Sequence, residues 1–256
     1  MNETEASERD ESFAARLPSE AGAIVGEAER RGKRVRLLGG VAIKLLLGAR
    51  LDAAFDRKTS DIDVICARRD GSAVETLLTE RGWEPATQFN ALNGSSRLLF
   101  HDPRSEAQVD VFVGEFSMCH VLPLTESLDG PGPSLPATDL VMTKLQIVEL
   151  NAKDRGDLYS LLVGCDLGAE AADVDPRRIA ALTGRDWGLH HTCERNLGLL
   201  RERVGAGEGP ALAGFSIDAI TAAMESEPKA RGWKVRACIG ERKRWYELPE
   251  EVDRGD

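Results

Sequence analysis

The sequence has few cysteines, and none of them stands in a closely spaced pair. The 256 residues include five, which are Cys66, Cys119, Cys165, Cys193 and Cys238. The number is odd and no CxxC spacing occurs, which argues against a disulfide framework and against a cysteine zinc site. We therefore expect reduced thiols, as in a cytoplasmic protein.

The chain also lacks a long apolar run and an excess of positive charge. No run of about 18 apolar residues occurs, so we expect no membrane-spanning helix. The acidic N-terminus does not have the basic and then apolar layout of a signal peptide, which predicts a cytoplasmic protein without a membrane partner. The net charge of −10 argues against indiscriminate binding of nucleic acid.

Charge is distributed unevenly along the chain. Residues 1–11 are polar and acidic, and their composition predicts a disordered tail. Near the C-terminus, a basic segment contains Lys229, Arg231, Lys234, Arg236, Arg242, Lys243 and Arg244, interleaved with Trp233, Trp245 and Tyr246. Such a segment can stack bases and hold phosphates, or it can be a solvated hairpin anchored by a few aromatic rings. We favour the hairpin.

The most informative pattern connects a glycine pair to two aspartates. A strand predicted at 35–38 leads into Gly39-Gly40 and a helix at 41–49, and a second strand follows at 61–66. Backbone N–H groups of such a turn can approach an anion at the helix N-terminus. Alternate side chains of a strand share a face, so Asp61 and Asp63 point the same way. A hard divalent cation would offset their repulsion, and the pattern therefore indicates phosphoryl or nucleotidyl transfer.

A third carboxylate follows on a later strand. Three strands are predicted at 83–89, 97–101 and 108–113, with a hairpin turn at Asn93-Gly94 between the first two. The valines of the third strand share one face and leave Asp110 on the other. Asp110 then either joins the two earlier aspartates or faces water at an edge of the sheet.

The rest of the pattern is mainly helical. We predict helices at 12–31 and 71–81, a linker rich in Pro, Gly and Ser at 123–137, and further helices at 137–151, 154–165, 176–183, 186–204 and 216–225, with a hairpin formed by 234–239 and 242–248. The predicted fold class is α/β (α+β). A core at 12–122 has a small mixed sheet flanked by helices, and a mainly helical region occupies 137–256.

The residues Gly39-Gly40, Arg57-x-Thr59-x-Asp61-x-Asp63 and the later Asp110 together resemble the polymerase-beta-like nucleotidyltransferase superfamily. Within it, the likeness is to the AbiEii-type branch, the toxins of toxin–antitoxin pairs, and it extends over residues 35–162. The resemblance implies a nucleotidyltransferase core in which the three aspartates bind Mg²⁺ or Mn²⁺ and Asp110 helps to deprotonate the acceptor. Many members have Gly-Ser at the glycine pair, so one hydroxyl contact to phosphate is missing here.

Lys144 lies in the middle of the apolar stripe of its predicted helix, between Leu140 and Val148. A lysine at that position must reach past the core to solvent or meet an anion. The resemblance implies that the anion is the triphosphate, since similar nucleotidyltransferases carry a lysine on this helix. Both interpretations stay open.

Residues 153–158 (Lys-Asp-Arg-Gly-Asp-Leu) resemble the region that follows this lysine in the family, although Asn151 stands where the family has an arginine. Asp157 could support either the lysine or the nucleotide, whereas we interpret Asp154 as a helix N-cap. Arg57 and Thr59 could contact phosphates or order their loop, and we favour loop ordering.

The predicted activity is transfer of a nucleoside monophosphate from a nucleoside triphosphate to an acceptor hydroxyl. Three hypotheses follow. The first is a toxin-like enzyme that acts on RNA, in particular tRNA, or on a protein, and has an antitoxin partner. The second is an enzyme that modifies a small molecule such as an antibiotic. The third is a nucleotide-binding or partner-binding module without catalysis.

Overall fold

The structure is a computed structural model that describes the backbone of residues 3–248 and the side chains of residues 16–248. Its first half contains α1 (Glu3–Arg30), β1 (Val35–Leu38), α2 (Gly39–Leu47), β2 (Asp61–Cys66), α3 (Gly71–Glu80), β3 (Glu84–Pro85), α4 (Thr87–Asn93), β4 (Arg97–His101), β5 (Gln108–Val113), β6 (Phe116–Ser117) and β7 (Val121–Leu122). Its second half contains α5 (Ala137–Leu145), α6 (Ala152–Gly164), α7 (Pro176–Thr183), α8 (Trp187–Gly205), α9 (Ala213–Ser226) and α10 (Arg231–Ile239).

Five strands form one mixed sheet in the order β1-β2-β5-β4-β3, and β6 pairs with β7 separately. In the large sheet β2 and β5 run parallel, while the other neighbouring strands are antiparallel. Ile62 and Val64 of β2 and Val109 and Val111 of β5 are fully buried. The residues between them share the opposite face. This mixed sheet, flanked by helices, confirms the predicted α+β fold class.

One predicted strand is wrong. Instead of a strand over 83–89 and a hairpin turn at Asn93-Gly94, only Glu84–Pro85 pairs with β4, and α4 follows. The side chain of Asn90 accepts a hydrogen bond from the Leu99 N–H at 2.7 Å and donates one to the Leu99 carbonyl at 3.1 Å. A helix side chain thus satisfies the backbone groups that a longer edge strand would otherwise pair with.

The segment 123–137, predicted as a linker, is part of the fold. Leu124, Leu128 and Leu135 are buried. The Leu37 N–H donates to the Pro133 carbonyl at 2.8 Å, and the Leu135 N–H donates to the Leu37 carbonyl at 2.9 Å. Because β1 is an edge strand, these bonds cover backbone groups that would otherwise be unpaired. Three buried leucines therefore outweigh the loop-like composition.

Both ends of the chain differ from prediction. The acidic segment 1–11, predicted as disordered, is helical from Glu3 onward, because Glu and Ala favour helices and acidic residues stabilise a helix N-terminus. The predicted C-terminal hairpin is wrong as well, since α10 replaces its first strand. Gly240 has φ 60° and ends α10, and the Arg236 guanidinium donates to the Gly240 carbonyl at 2.7 Å. The predictions for residues 1–2 and 249–256 lie outside the described residues.

The second half packs against the first through its first two helices. Helices α5 and α6 both contact α2, which begins at the glycine pair. Helix α5 ends earlier than predicted, at Leu145, and Asn151 is the N-cap of α6. No helix in the range 3–248 is long and apolar enough to cross a membrane.

Candidate active site

Three aspartates lie on one face of the central parallel strand pair. In the register of β2 and β5, Asp63 stands directly opposite Asp110, and Asp61 is two positions earlier on the same face as Asp63. All three side chains are partly exposed, whereas the apolar residues between them are buried. The prediction that Asp110 lies on the same face as the other two aspartates thus agrees with the register.

Gly39 is in close contact with Asp63. Its φ is +69°, a backbone conformation that L side chains rarely adopt. A Cβ at this position would lie 1.9 Å from the Asp63 Oδ2 atom, so a side chain would collide with the carboxylate. Burial, together with the negative charges of Asp110 and Asp61, raises the pKa of Asp63 to about 7, even though the Lys144 charge lowers it. The turn therefore leaves room for the Asp63 carboxylate, whose burial and negative neighbours are not fully offset by the Lys144 charge.

Gly40 gives the same close approach to the loop before β2. A Cβ on Gly40 would lie 2.8 Å from both the Arg57 Nη2 atom and the Thr59 methyl carbon. Thr59 is buried, and the Arg57 side chain is partly exposed. Arg57 and Thr59, which precede Asp61 in the sequence pattern, therefore pack on the glycine turn. This contact fits loop ordering, and it also places a guanidinium beside the N-terminus of α2.

Asp157 joins the two predicted cations. Its carboxylate accepts hydrogen bonds from Arg57 Nε at 3.0 Å and Nη2 at 2.9 Å, and it pairs with the Lys144 ammonium at 2.9 Å. Burial alone would raise the pKa of Asp157, but the Arg57 hydrogen bonds and the Lys144 charge outweigh it and the pKa is lowered. The same pairing raises the pKa of Arg57. Asp157 is therefore an ionised anchor for both cations.

Lys144 is nearly buried and pairs with two carboxylates of α6. Its ammonium lies 2.8 Å from Asp154 and 2.9 Å from Asp157. Burial opposes its charge, but the two aspartates more than compensate and raise the pKa of Lys144. Asp154 is not the N-cap that we predicted. Asn151 caps α6 by accepting a hydrogen bond from the Asp154 N–H at 3.0 Å, because the helix begins at Ala152, two residues before Asp154, and leaves that carboxylate to bind the lysine.

Sequence reasoning missed Arg97. On β4, its guanidinium donates to both oxygens of Asp110, from Nε at 2.9 and 3.1 Å. The guanidinium also lies 5.8 Å from the ring centre of Phe89 and 5.3 Å from that of Phe112. In the antiparallel β4–β5 pair, Arg97 stands opposite Phe112, so Asp110 is its diagonal neighbour. The sequence signal was an opposite charge at a diagonal position, which is visible only once the register is known.

The charges of this cluster are unbalanced. It contains three cations (Arg57, Arg97 and Lys144) and five carboxylates (Asp61, Asp63, Asp110, Asp154 and Asp157). Among these eight side chains, carboxylates outnumber cations by two. An excess of carboxylate oxygens fits a hard divalent cation such as Mg²⁺. Among the described residues no three acidic, His or Cys side chains converge as a ready metal site, and Asp110 is engaged by Arg97. The donor chemistry fits, and Asp110 would have to loosen its ion pair to take part.

Comparisons with known proteins give remote structural likenesses. No family model matches the chain, and no curated protein matches it. Among solved structures, it is similar to the lincosamide antibiotic adenylyltransferase LnuA with lincomycin bound, at 16% identity and a TM-score of 0.40, over 54% of this chain and 92% of that chain. It is also similar to an antigenic nucleotidyltransferase-like protein from Paracoccidioides brasiliensis, at 13% identity and a TM-score of 0.45, over 85% of this chain and 96% of that chain.

Proposed function

We propose that this chain is a metal-dependent nucleotidyltransferase of the polymerase-beta-like superfamily. It would move a nucleoside monophosphate from a nucleoside triphosphate to an acceptor hydroxyl. One juxtaposition carries the proposal: Asp63 lies opposite Asp110 and against Gly39, at the turn that begins α2. A pair of carboxylates beside a helix N-terminus is suited to hold a cation and a phosphate together.

Lys144 is the residue that we assign to the triphosphate. An ammonium group has three N–H donors, and Asp154 and Asp157 account for two of them. The third donor is then available for a phosphate oxygen. Arg57, held by Asp157 against Gly40, adds a second positive charge at the same turn. Asp157 positions both cations without contacting the nucleotide itself.

In the proposed reaction, the acceptor oxygen attacks the α-phosphorus, a new P–O bond forms and the bond to the pyrophosphate oxygen breaks. Asp110 would accept the proton of the acceptor hydroxyl, and Arg97 would hold that carboxylate in place until the substrates bind. Asp61, Asp63 and Asp110 would hold Mg²⁺ or Mn²⁺. When bound, such an ion polarises phosphate oxygens and stabilises the charge that develops in the transition state.

We further propose RNA, with tRNA first, as the acceptor of a toxin-like enzyme of the AbiEii type in the cytoplasm, with an antitoxin protein as its partner. A hydroxyl of a protein or of a small molecule such as an antibiotic would use the same chemistry. A second candidate function is a non-catalytic nucleotide-binding module. Its support is that Arg97 already neutralises Asp110, as a metal ion would otherwise do.

A transfer assay with labelled nucleotide tests the proposal. The purified protein is incubated with each α-labelled triphosphate, Mg²⁺ and total RNA, beside Asp63→Asn and beside Asp218→Asn, which changes an exposed aspartate of α9. We expect label on RNA with the native protein and with Asp218→Asn. Asp63→Asn should lower the rate by about 100-fold or more, since a bound metal ion contributes several kcal/mol to the transition state.

Three other outcomes would revise the proposal. Label on a small hydroxyl compound but not on RNA would overturn the acceptor and leave the enzyme standing. Binding of triphosphate without any transfer would favour the non-catalytic module. Equal transfer by native protein and Asp63→Asn would refute the assigned site.

A further inference from the structure

A cavity of about 460 Å³ lies outside the candidate active site. The β6–β7 hairpin, the first turn of α8, α10 and the segment 243–247 line it, and it is open to solvent on one side. None of the residues assigned above to metal or triphosphate lines it. Two links connect it to the elements of the candidate site. Strand β5, which carries Asp110, leads directly into β6, and the side chain of Gln146, just after α5, accepts a hydrogen bond from the His120 N–H at 2.8 Å.

Among the described residues that line this cavity, cations outnumber carboxylates by three to two. Arg236, Lys243 and Arg244 line it, against two carboxylates, Asp186 and Glu247. Asp186 also caps α8 by accepting a hydrogen bond from the Leu189 N–H. His120 adds no charge near neutral pH, since burial lowers its pKa. On a chain with a net charge of −10, three neighbouring cations favour the approach of an anion at this place.

Aromatic rings form one wall of the cavity, and hydrogen bonds fix that wall. Trp245 and Tyr246 stand edge to face at 5.2 Å, and the Arg244 guanidinium lies 4.8 Å from the Tyr246 ring centre. The Trp245 indole N–H donates to Thr192 at 3.1 Å, and the Glu247 N–H donates to the Cys119 carbonyl at 3.0 Å. The wall is therefore held from two directions, by α8 and by the hairpin.

A glycine makes this close packing possible. A Cβ on Gly188 would lie 2.6 Å from the Trp245 carbonyl oxygen, so only glycine lets segment 243–247 lie this close to α8. Arg236 braces the other side of the segment by donating to the Lys243 carbonyl at 2.6 Å. The Lys243 side chain itself is exposed at the cavity. The site thus combines an aromatic wall, a cation and a volume within the range of about 300–1,000 Å³ that small-ligand pockets span.

We propose that this cavity binds the terminal base and phosphate of a single-stranded RNA, which is the acceptor of the reaction. An aromatic side chain stacks on a base of any sequence, and a lysine beside it neutralises the phosphate. The free triphosphate already has its place beside Gly39 and Lys144, so a second site for the same chemistry suits a second substrate. The identity of the RNA as acceptor rests on the proposed function; the binding itself does not.

The test measures binding alone, without triphosphate and without metal. The probe is a fluorescein-labelled single-stranded RNA of about 8 nucleotides, within the size range of single-strand sites, and its anisotropy is followed at several salt concentrations. Lys243→Ala removes one of the three cations that line the cavity. Lys234→Ala is the matched control, because this exposed lysine lies on α10 but does not line the cavity. Tyr246→Leu removes the ring.

We expect Lys243→Ala to reduce the salt dependence of log K by about 0.7, the loss of a single phosphate contact to a single strand. Tyr246→Leu should weaken binding by about 10-fold, in line with loss of one stacked base, and Lys234→Ala should change little. Equal losses for Lys243→Ala and Lys234→Ala would show only diffuse attraction and overturn the site. Absence of RNA binding would overturn it too.

Two further measurements distinguish failure of the proposed RNA site from failure of the proposed function. If unlabelled nucleoside monophosphate displaces the RNA at equal concentration, the site is one for free nucleotides and the RNA assignment is wrong. Asp63→Asn should bind the RNA as tightly as native protein. Transfer to RNA that proceeds with unaltered RNA affinity in Lys243→Ala would refute this cavity and leave the proposed function intact. Lys243-dependent RNA binding without transfer would support this cavity and contradict the proposed function.

Discussion

The pair formed by Lys144 and Asp157 gives the sharpest quantitative prediction, because both partners are nearly buried. Their side chains are 13% and 6% exposed. Removing one partner of a buried ion pair typically costs about 3–5 kcal/mol, since the other charge is left without compensation. For Asp157→Asn we expect about 2–3 kcal/mol, because Lys144 keeps Asp154 and the 30% exposed Arg57 can be hydrated.

A double-mutant cycle measures this coupling. Lys144→Met leaves two carboxylates without their shared cation and should cost a similar amount. The double variant Lys144→Met with Asp157→Asn removes both charges of the pair, so less uncompensated charge remains than after either single change. We therefore expect the double variant to lose about 1–3 kcal/mol less stability than the two single variants lose together. The free energy of unfolding in urea, followed by circular dichroism, is the measurement.

The matched control is a surface pair. Arg201 and Asp218 lie 2.7 Å apart, but their side chains are 48% and 58% exposed. Exposed pairs usually couple by about 0.2–1 kcal/mol, because water and salt screen them. If the Lys144–Asp157 coupling were no larger than the coupling measured at this surface pair, the argument that burial strengthens the cluster would be refuted.

Three further predictions address the turn, the helical region and the cation requirement. Gly39→Ala should destabilise the fold by about 1–3 kcal/mol, because a side chain is strained at φ +69° and would collide with the Asp63 carboxylate. Gly156→Ala, in open space on α6, should stabilise the fold slightly. Thermal unfolding of both variants is the measurement. Burial lowers the pKa of His190 from 6.5 to about 4, so the unfolded chain binds an extra proton between these values and stability falls as the pH drops through them. The native protein should therefore lose about 2 kcal/mol more than His190→Gln between pH 7.5 and pH 5 in urea unfolding, and parallel pH profiles would contradict this. Arg97→Gln should tighten Mg²⁺ binding by about tenfold or more in calorimetry, because the positive charge at Asp110 would no longer compete with the metal for that carboxylate. Arg201→Gln, the surface control, should leave the affinity unchanged. Unchanged affinity in both variants would exclude the competition.

Local patterns predicted the strands that build the site. The bounds of β1, β2, β4 and β5 agree with those expected from sequence, because alternation of buried and partly exposed residues is a local property of a strand. The shared face of Asp61 and Asp63 follows from that alternation alone. That Asp110 meets them depends on the parallel pairing of β2 with β5, which the spacing by itself does not show.

Elements whose conformation depends on distant partners were predicted poorly. Helix α4 reads as a strand because its stabilising contact, between Asn90 and Leu99, crosses to β4. Segment 123–137 reads as a linker because its partner, Leu37, lies far away in the chain. Helix α10 reads as half of a hairpin because no side chain of it is buried, so burial leaves no periodic signal. In each case tertiary contacts override local composition.

Lys144 shows how much such a pattern can say about chemistry. Its place in an apolar stripe implied either an excursion to solvent or an anion, and the structure supplies two anions, Asp154 and Asp157. Asp157 also holds Arg57, from the first half of the chain. The cations beside the glycine turn are therefore held by both halves of the chain, since Lys144 lies on α5 and Asp157 on α6, and both helices pack on α2. A cation held by neighbouring carboxylates keeps its charge and its position, and such preorganisation would serve the triphosphate site that we propose.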